Sequence, residues 1–401
     1  MRKRTPACGV PVWQDIGRAV VMIGLASGLQ IAHAASAAPI CDVNGAVMNP
    51  TDKVAVQGRT GVMRCRDAVT GQVVREQDLQ SGRFTGAVRY FTNGHLSREQ
   101  FVNEKGNLQG RSREFAAGGQ LLREGNYENG ALNGLTRNFH PDGRLQRASF
   151  YGPAGELAYA EFTRRGDLRS LKCADRPVLA PAVDDARLCG FAPRPSQVSF
   201  VAESGALRAR ATFVAGSRVR YETFQDNGLP ATQEETSANG RIERIFGADG
   251  TRRREVVWAL VDGASQRDRE MEFSSSGRLT RERRWSQGEL SSEQTYYLNG
   301  QPRSKARYTS SGSVRTLETQ DYYENGMLAA QGSYVDTGRY APTPVGIHRQ
   351  FDMQGRPKAE SVYDTRGRLL RERSWDPAGV VLRDDEVLED GSRRGPGPAA
   401  R

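Results

Sequence analysis

Glycine recurs at regular short intervals along most of this chain, and that rhythm limits the fold more than any other feature. Gly355, Gly367, Gly379 and Gly391 are spaced by 12, and Gly86, Gly110 and Gly134 by 24. Glycine tolerates the positive φ that tight turns require. A turn every dozen residues leaves about eight for a strand, a common strand length. A helix would instead carry a glycine every few turns, at ~1 kcal/mol each. The clearest unit is GRLLRERSWDPAG (367–379), with a near-copy GRLTRERRWSQG at 277–288. Each unit runs from a glycine through a leucine and a charged stretch to an aromatic, then a turn. The spacing predicts an all-β fold, an elongated antiparallel β-hairpin repeat sheet with about 12 residues per strand-plus-turn.

Composition supports a thin, wet sheet. Only 37% of the 401 residues are hydrophobic, mean hydropathy is -0.63, and 44 are glycine. In GRLLRERSWDPAG, alternation puts Leu369, Arg371, Arg373 and Trp375 on one face, so charge fills the strand centre and apolar residues mark its ends. Such a sheet is expected to be held by backbone ladders, Arg–Glu cross-strand pairs and aromatics stacked from unit to unit.

The pattern divides the chain in order. Residues 1–38 read as a signal peptide, with Arg2, Lys3, Arg4 and Arg18 before an apolar run (19–31) and small residues at the cut. Its removal takes the formal charge from +10 to +7, because it carries four bases and Asp15. Residues 39–78 read as an N-terminal cap with three candidate strand cores, Val54–Val56, Val62–Met63 and Val73–Val74. A first array spans 79–170, a Pro-rich disulfide-closed loop 171–197, a second, degenerate array 198–391, and a disordered tail 392–401. The loop is either a decorated insertion or a binding loop. Export predicts a periplasmic or secreted protein and disfavours nucleic acid as a partner.

Cys8 leaves with the leader, and Cys41, Cys65, Cys173 and Cys189 remain. Four cysteines in an exported chain predict disulfides, with three connectivities open. Cys41–Cys65 and Cys173–Cys189 are preferred, because each closes a short segment outside the repeats. No C-x-x-C and no His beside a Cys suggests a metal, and no cofactor is implied.

Of the mature histidines, His95 and His140 fall at or beside turns. Nucleophile-elbow, zincin and P-loop motifs are missing, so no catalytic residue is assigned and no enzyme is expected. An active site of dispersed carboxylates stays open as an alternative. Asp142 and Asp249 precede glycines and read as turn residues. The candidate binding residues are Arg281, Trp285, Arg371 and Trp375, either packed in the array or exposed as a Trp–Arg surface for an anionic or sugar ligand.

The stretch NYENGALNGLTRNFHPDGRLQRASFY (126–151) resembles the MORN-repeat variant family, as do GQLLREGNYENG (119–130) and YYENGMLAAQG (322–332). In the second array the later glycine of that motif is mostly missing, and YDTRGRLLRERSWDPAG (363–379) also resembles the YD repeats of large secreted shell and toxin proteins. Both resemblances imply antiparallel hairpin ribbons. The first implies a MORN-like meander that binds protein or membrane lipid without enzymatic activity, with toxin neutralisation as an antitoxin or immunity protein among its roles. Two expectations follow: a protein partner, such as a toxin, or an envelope lipid or glycan held by an Arg/aromatic face.

Overall fold

A computed structural model describes residues 38–312, 314–336 and 341–395. The expected signal peptide lies outside the described residues but for Ala38, as do residues 396–401 of the expected tail.

The chain is nearly all β, in two antiparallel sheets of 13 and 17 strands that do not close into barrels. Strand order follows the chain almost throughout. The first sheet runs from Ile40–Val43 to Leu168–Lys172, and the second from Ser196–Val201 to Arg393–Arg394. Substantial contacts join only neighbouring strands, so most of the second sheet is a single layer.

Two turn chemistries build it. Asn93-Gly94, Asn129-Gly130, Asp262-Gly263 and Gln287-Gly288 have positive φ at both residues, the type I′ hairpin geometry. Many other turns are longer and end on one left-handed glycine. At Gly367, φ is 84°, its amide donates to Asp364 O (3.1 Å), and Asp364 N donates to Arg368 O (2.9 Å). The ladder slips by one residue beside it, between Val362 and Tyr363. Asp364 Oδ1 also accepts the amides of Arg366 and Arg368, which explains the aspartate that opens several units.

Val54–Val56 does not form the expected strand. Asp52 Oδ1 accepts the Val54 amide at 2.9 Å and starts a short helix, Lys53–Val56, that sets Val56 on the cap core of Cys41, Val43, Met63, Cys65 and Leu79. Both preferred disulfides are present. Cys41 and Cys65 are direct cross-strand partners, and Cys173–Cys189 closes the loop between the sheets.

That loop covers a core. Leu179 is fully buried on Ala148, Ala158 and Ala160, and the short helix Asp185–Leu188 places Leu188 between this cluster and that of Val198, Phe200 and Phe213. Asp185 Oδ2 accepts the amides of Val178 and Leu179 and holds the loop down. At the far end, Arg393–Arg394 adds a short rung within the segment expected to be disordered.

The expected aromatic stacking is not what the structure shows. Among the described residues, ring–ring contacts are confined to Phe200–Tyr221, Tyr334–His348 and His348–Tyr363. In a meander, successive strands end on opposite rims, so aromatics on one rim are two strands apart, about 10 Å. Arginines of the intervening strand fill the gap. Tyr90 lies between Arg75 and Arg98, and Trp258 between Arg241 and Arg267. Rim tyrosines reach onward instead: Tyr297 donates to Tyr322 O and Tyr323 to Phe351 O, both at 2.8 Å.

Candidate binding surface

Register decides which side chains meet. In the first sheet one row crosses seven strands as Arg64, Glu76, Arg89, Glu99, Arg113, Glu124 and Arg137, alternating in charge at every step. Ion pairs follow it, with Arg64–Glu76 at 2.9 Å, Arg89–Glu99 at 3.0 Å and Arg137–Glu124 at 2.6 Å. Burial pushes the Glu99 carboxyl up, but hydrogen bonds from Arg113 and Arg89 outweigh it and hold its pKa below the ordinary value. Beyond Arg137 the row becomes Ala148, Ala160 and Leu171, the floor beneath the disulfide loop.

The second sheet repeats this device on both faces. Glu270 is only 3% exposed, with Arg254, Arg267 and Arg283 around it. On the opposite face Arg244 bonds Glu235 (2.9 Å) and Glu255 (2.8 Å); burial lowers its pKa, and the two carboxylates outweigh that and raise it.

Arg281 and Trp285 share the Glu270 face. Arg281 pairs with Glu272 and Glu293, and Trp285 lies 5.0 Å from Arg267. The register carries Glu282, on the other face, across to Arg373, so Arg371 and Trp375 lie on the face opposite Arg281 and Trp285. Seven strand steps separate the two pairs, roughly 34 Å at the usual spacing. They form no common patch. Arg371 holds Asp384 by two bonds of 2.7 and 2.8 Å.

The row through Arg373 carries the feature that the sequence reading missed. Arg244, Arg349 and Arg373 in it each bond a carboxylate at 3.0 Å or less. Between Arg244 and Arg349 the same row passes through Gln294, Lys305, Gln320 and Gln331. Lys305 has no ion pair among the described residues and rests over Tyr322 at 5.2 Å. Arg307 and Glu318 are cross-strand partners beside it, yet they do not form an ion pair. A shallow trough of about 710 Å³ opens here, lined on this face by Ser292, Gln294, Lys305, Arg307, Glu318, Gln320, Gln331, Ser333 and Ile347. Its side chains come from five consecutive strands, Glu289–Tyr296 to Thr343–Phe351. No short motif marks it, because Gln294, Lys305, Gln320 and Gln331 are 11 to 15 residues apart and meet only through register.

The histidines and turn aspartates are engaged locally. His140 is buried, and His348 Nε2 lies 2.8 Å from Ser333 O. Asp142 and Asp249 accept the amides two residues on. Among the described residues, no cluster of three or more His, Cys, Asp or Glu could hold a metal ion.

The family model for the MORN repeat variant matches residues 108–129 and 315–336. Each match covers one hairpin, and the second lies across two strands of the trough. No curated protein matches. Among solved structures, the crystal structure of TcdB2-TccC3-Cdc42 is 12% identical with a TM-score of 0.17, covering 83% of this chain and 18% of that one. TcdB2-TccC3 without its hypervariable C-terminal region gives 11%, 0.17, 83% and 18%. A protein of unknown function from Bacteroides fragilis is 9% identical with a TM-score of 0.10, covering 37% of this chain and 92% of that one. The chain thus spans less than a fifth of the length of the first two. It is an antiparallel β-repeat array with matches to the MORN repeat variant at two of its hairpins.

Proposed function

We propose that this chain is a non-enzymatic, exported scaffold that binds another protein, in the role of an antitoxin or immunity protein for a toxin. The observation that carries the reading is the single-layer second sheet. Its faces have no second layer against them, and one of them opens into a polar trough whose charged groups are not consumed by internal pairs. Such a surface suits a macromolecule better than a small molecule, which is usually enclosed by an apolar pocket. The matches to the MORN repeat variant at two hairpins support the scaffold reading. Two disulfides fit an oxidising compartment, periplasmic or extracellular. No described helix is long and apolar enough to cross a membrane.

The test is affinity capture with the immobilised mature chain in envelope extract of the source cell. A single protein retained over a scrambled-surface control is expected. Recovery of no specific protein, together with retention of anionic vesicles or glycan, would favour the envelope lipid or glycan reading instead.

A further inference from the structure

The trough and the gap in the charge ladder coincide, although they are independent features of the molecule. We propose that this trough is the docking site for an acidic, extended segment of the protein partner, an inference that rests on the protein-binding reading above. Along the row from Arg244 to Asp384, arginines meet carboxylates supplied by this chain, except where Lys305 stands between Gln294 and Gln320. Arg307, on the same strand and face, also has no ion pair among the described residues, whereas Arg303 at the strand's start lies by the Tyr297 ring at 5.9 Å and acts on Asp321. Two exposed cations of Pro302–Ser311, Lys305 and Arg307, therefore line the trough, with Glu318 as the carboxylate across from Arg307. Gln294, Gln320 and Gln331 supply donors and acceptors for a peptide backbone along the same row.

The lining chemistry selects among anionic ligands. The one ring beside the trough, Tyr322, has Lys305 over it and its hydroxyl on Gln320, so it offers no free platform for a sugar, and Ile347 is the one large apolar side chain of the lining, too little for insertion into a membrane. The trough crosses four strand gaps, about 19 Å, which an extended segment of roughly six residues spans. Carboxylates on that segment would supply the partners that Lys305 and Arg307 lack, with steering from the unpaired charge.

Fluorescence anisotropy of a fluorescein-labelled oligoglutamate on the full mature chain tests this directly. Binding is expected to fall about tenfold or more in Lys305→Glu and Arg307→Glu. Arg366→Glu, the same charge change at an exposed rim turn, should leave it unaltered. Because Lys305 and Arg307 are exposed, both variants should keep the wild-type melting curve. Equal binding by all four proteins, or no binding, overturns the proposal. Preferential, Lys305-dependent binding of oligogalacturonate or of phosphatidylglycerol vesicles also overturns it, in favour of a glycan or a membrane. Envelope capture separates the two levels. A protein retained equally by wild type and both variants defeats the docking site while the protein-binding reading stands; no retained protein defeats that reading.

Discussion

The guanidinium of Arg267 stands 5.0 Å from the ring centre of Trp285, and Trp258 lies 5.3 Å away on its other side. The two tryptophans belong to strands on either side of the arginine's own strand, Ala264–Phe273. A cation thus occupies the space that a stacked ring would fill in a parallel array. The sheet is stitched by alternating cation and ring, and cation and carboxylate, with little apolar core between its two ends.

Arg267→Ala should therefore cost about 1–2 kcal/mol, from two cation–π contacts and a 3.4 Å bond to Glu270. Urea denaturation followed by tryptophan emission checks it. Unaltered emission and midpoint would show that the arginine does not engage the rings.

Glu270 tests whether the ion-pair ladder stabilises the sheet. Glu270→Gln leaves three arginines around a neutral, nearly buried group and should cost about 2–3 kcal/mol, less than a deeply buried pair because the arginines are partly exposed. Glu104→Gln removes a partner of the exposed Arg83 and should change the urea midpoint little. Equal effects at the two sites would remove the distinction.

Turn glycines should differ in their tolerance. A Cβ at Gly379 meets nothing nearby, so Gly379→Ala should cost only the left-handed backbone, about 1–2 kcal/mol. A Cβ at Gly367 would collide with Thr343 Cγ2, so Gly367→Ala should lower the melting temperature further. Identical melting temperatures would mean that Thr343 moves freely aside.

Acid should loosen the array. Hydrogen bonds from Arg371 and Arg373 hold Asp384 at about 2 against an ordinary 3.8, and Glu99 and Glu372 are also lowered by arginines. A depressed carboxylate stabilises the fold above its unfolded pKa, and that contribution is lost as pH falls through the folded value. The melting temperature, followed by circular dichroism, should hold steady from neutrality to about pH 5 and fall between about pH 4 and 2. A fall centred near pH 6 would point to histidine instead.

The glycine rhythm, the hairpins and both disulfides were legible because each is a local signal: a left-handed glycine, an aspartate cap, a cysteine pair outside the repeats. Faces were not legible. The repeat unit makes Arg281-Trp285 and Arg371-Trp375 look equivalent, yet they lie on opposite sides of the sheet. Connections of unequal length and one-residue slips, such as that between Val362 and Tyr363, set which side chains share a face. For the same reason the Gln294–Lys305–Gln320–Gln331 row leaves no trace in the linear sequence. The stacked aromatics were expected from regular spacing alone, which ignores that alternate strands end on opposite rims.

Hydrogen–deuterium exchange of the mature chain, alone and with its captured partner, tests most directly that this scaffold binds a protein through its sheet. The account predicts slowed exchange across Glu289–Tyr296, Pro302–Ser311, Val314–Tyr322 and Leu328–Asp336, with the cap strands unaltered. Protection confined to the cap or to the 173–195 loop, or no protection anywhere, would contradict it.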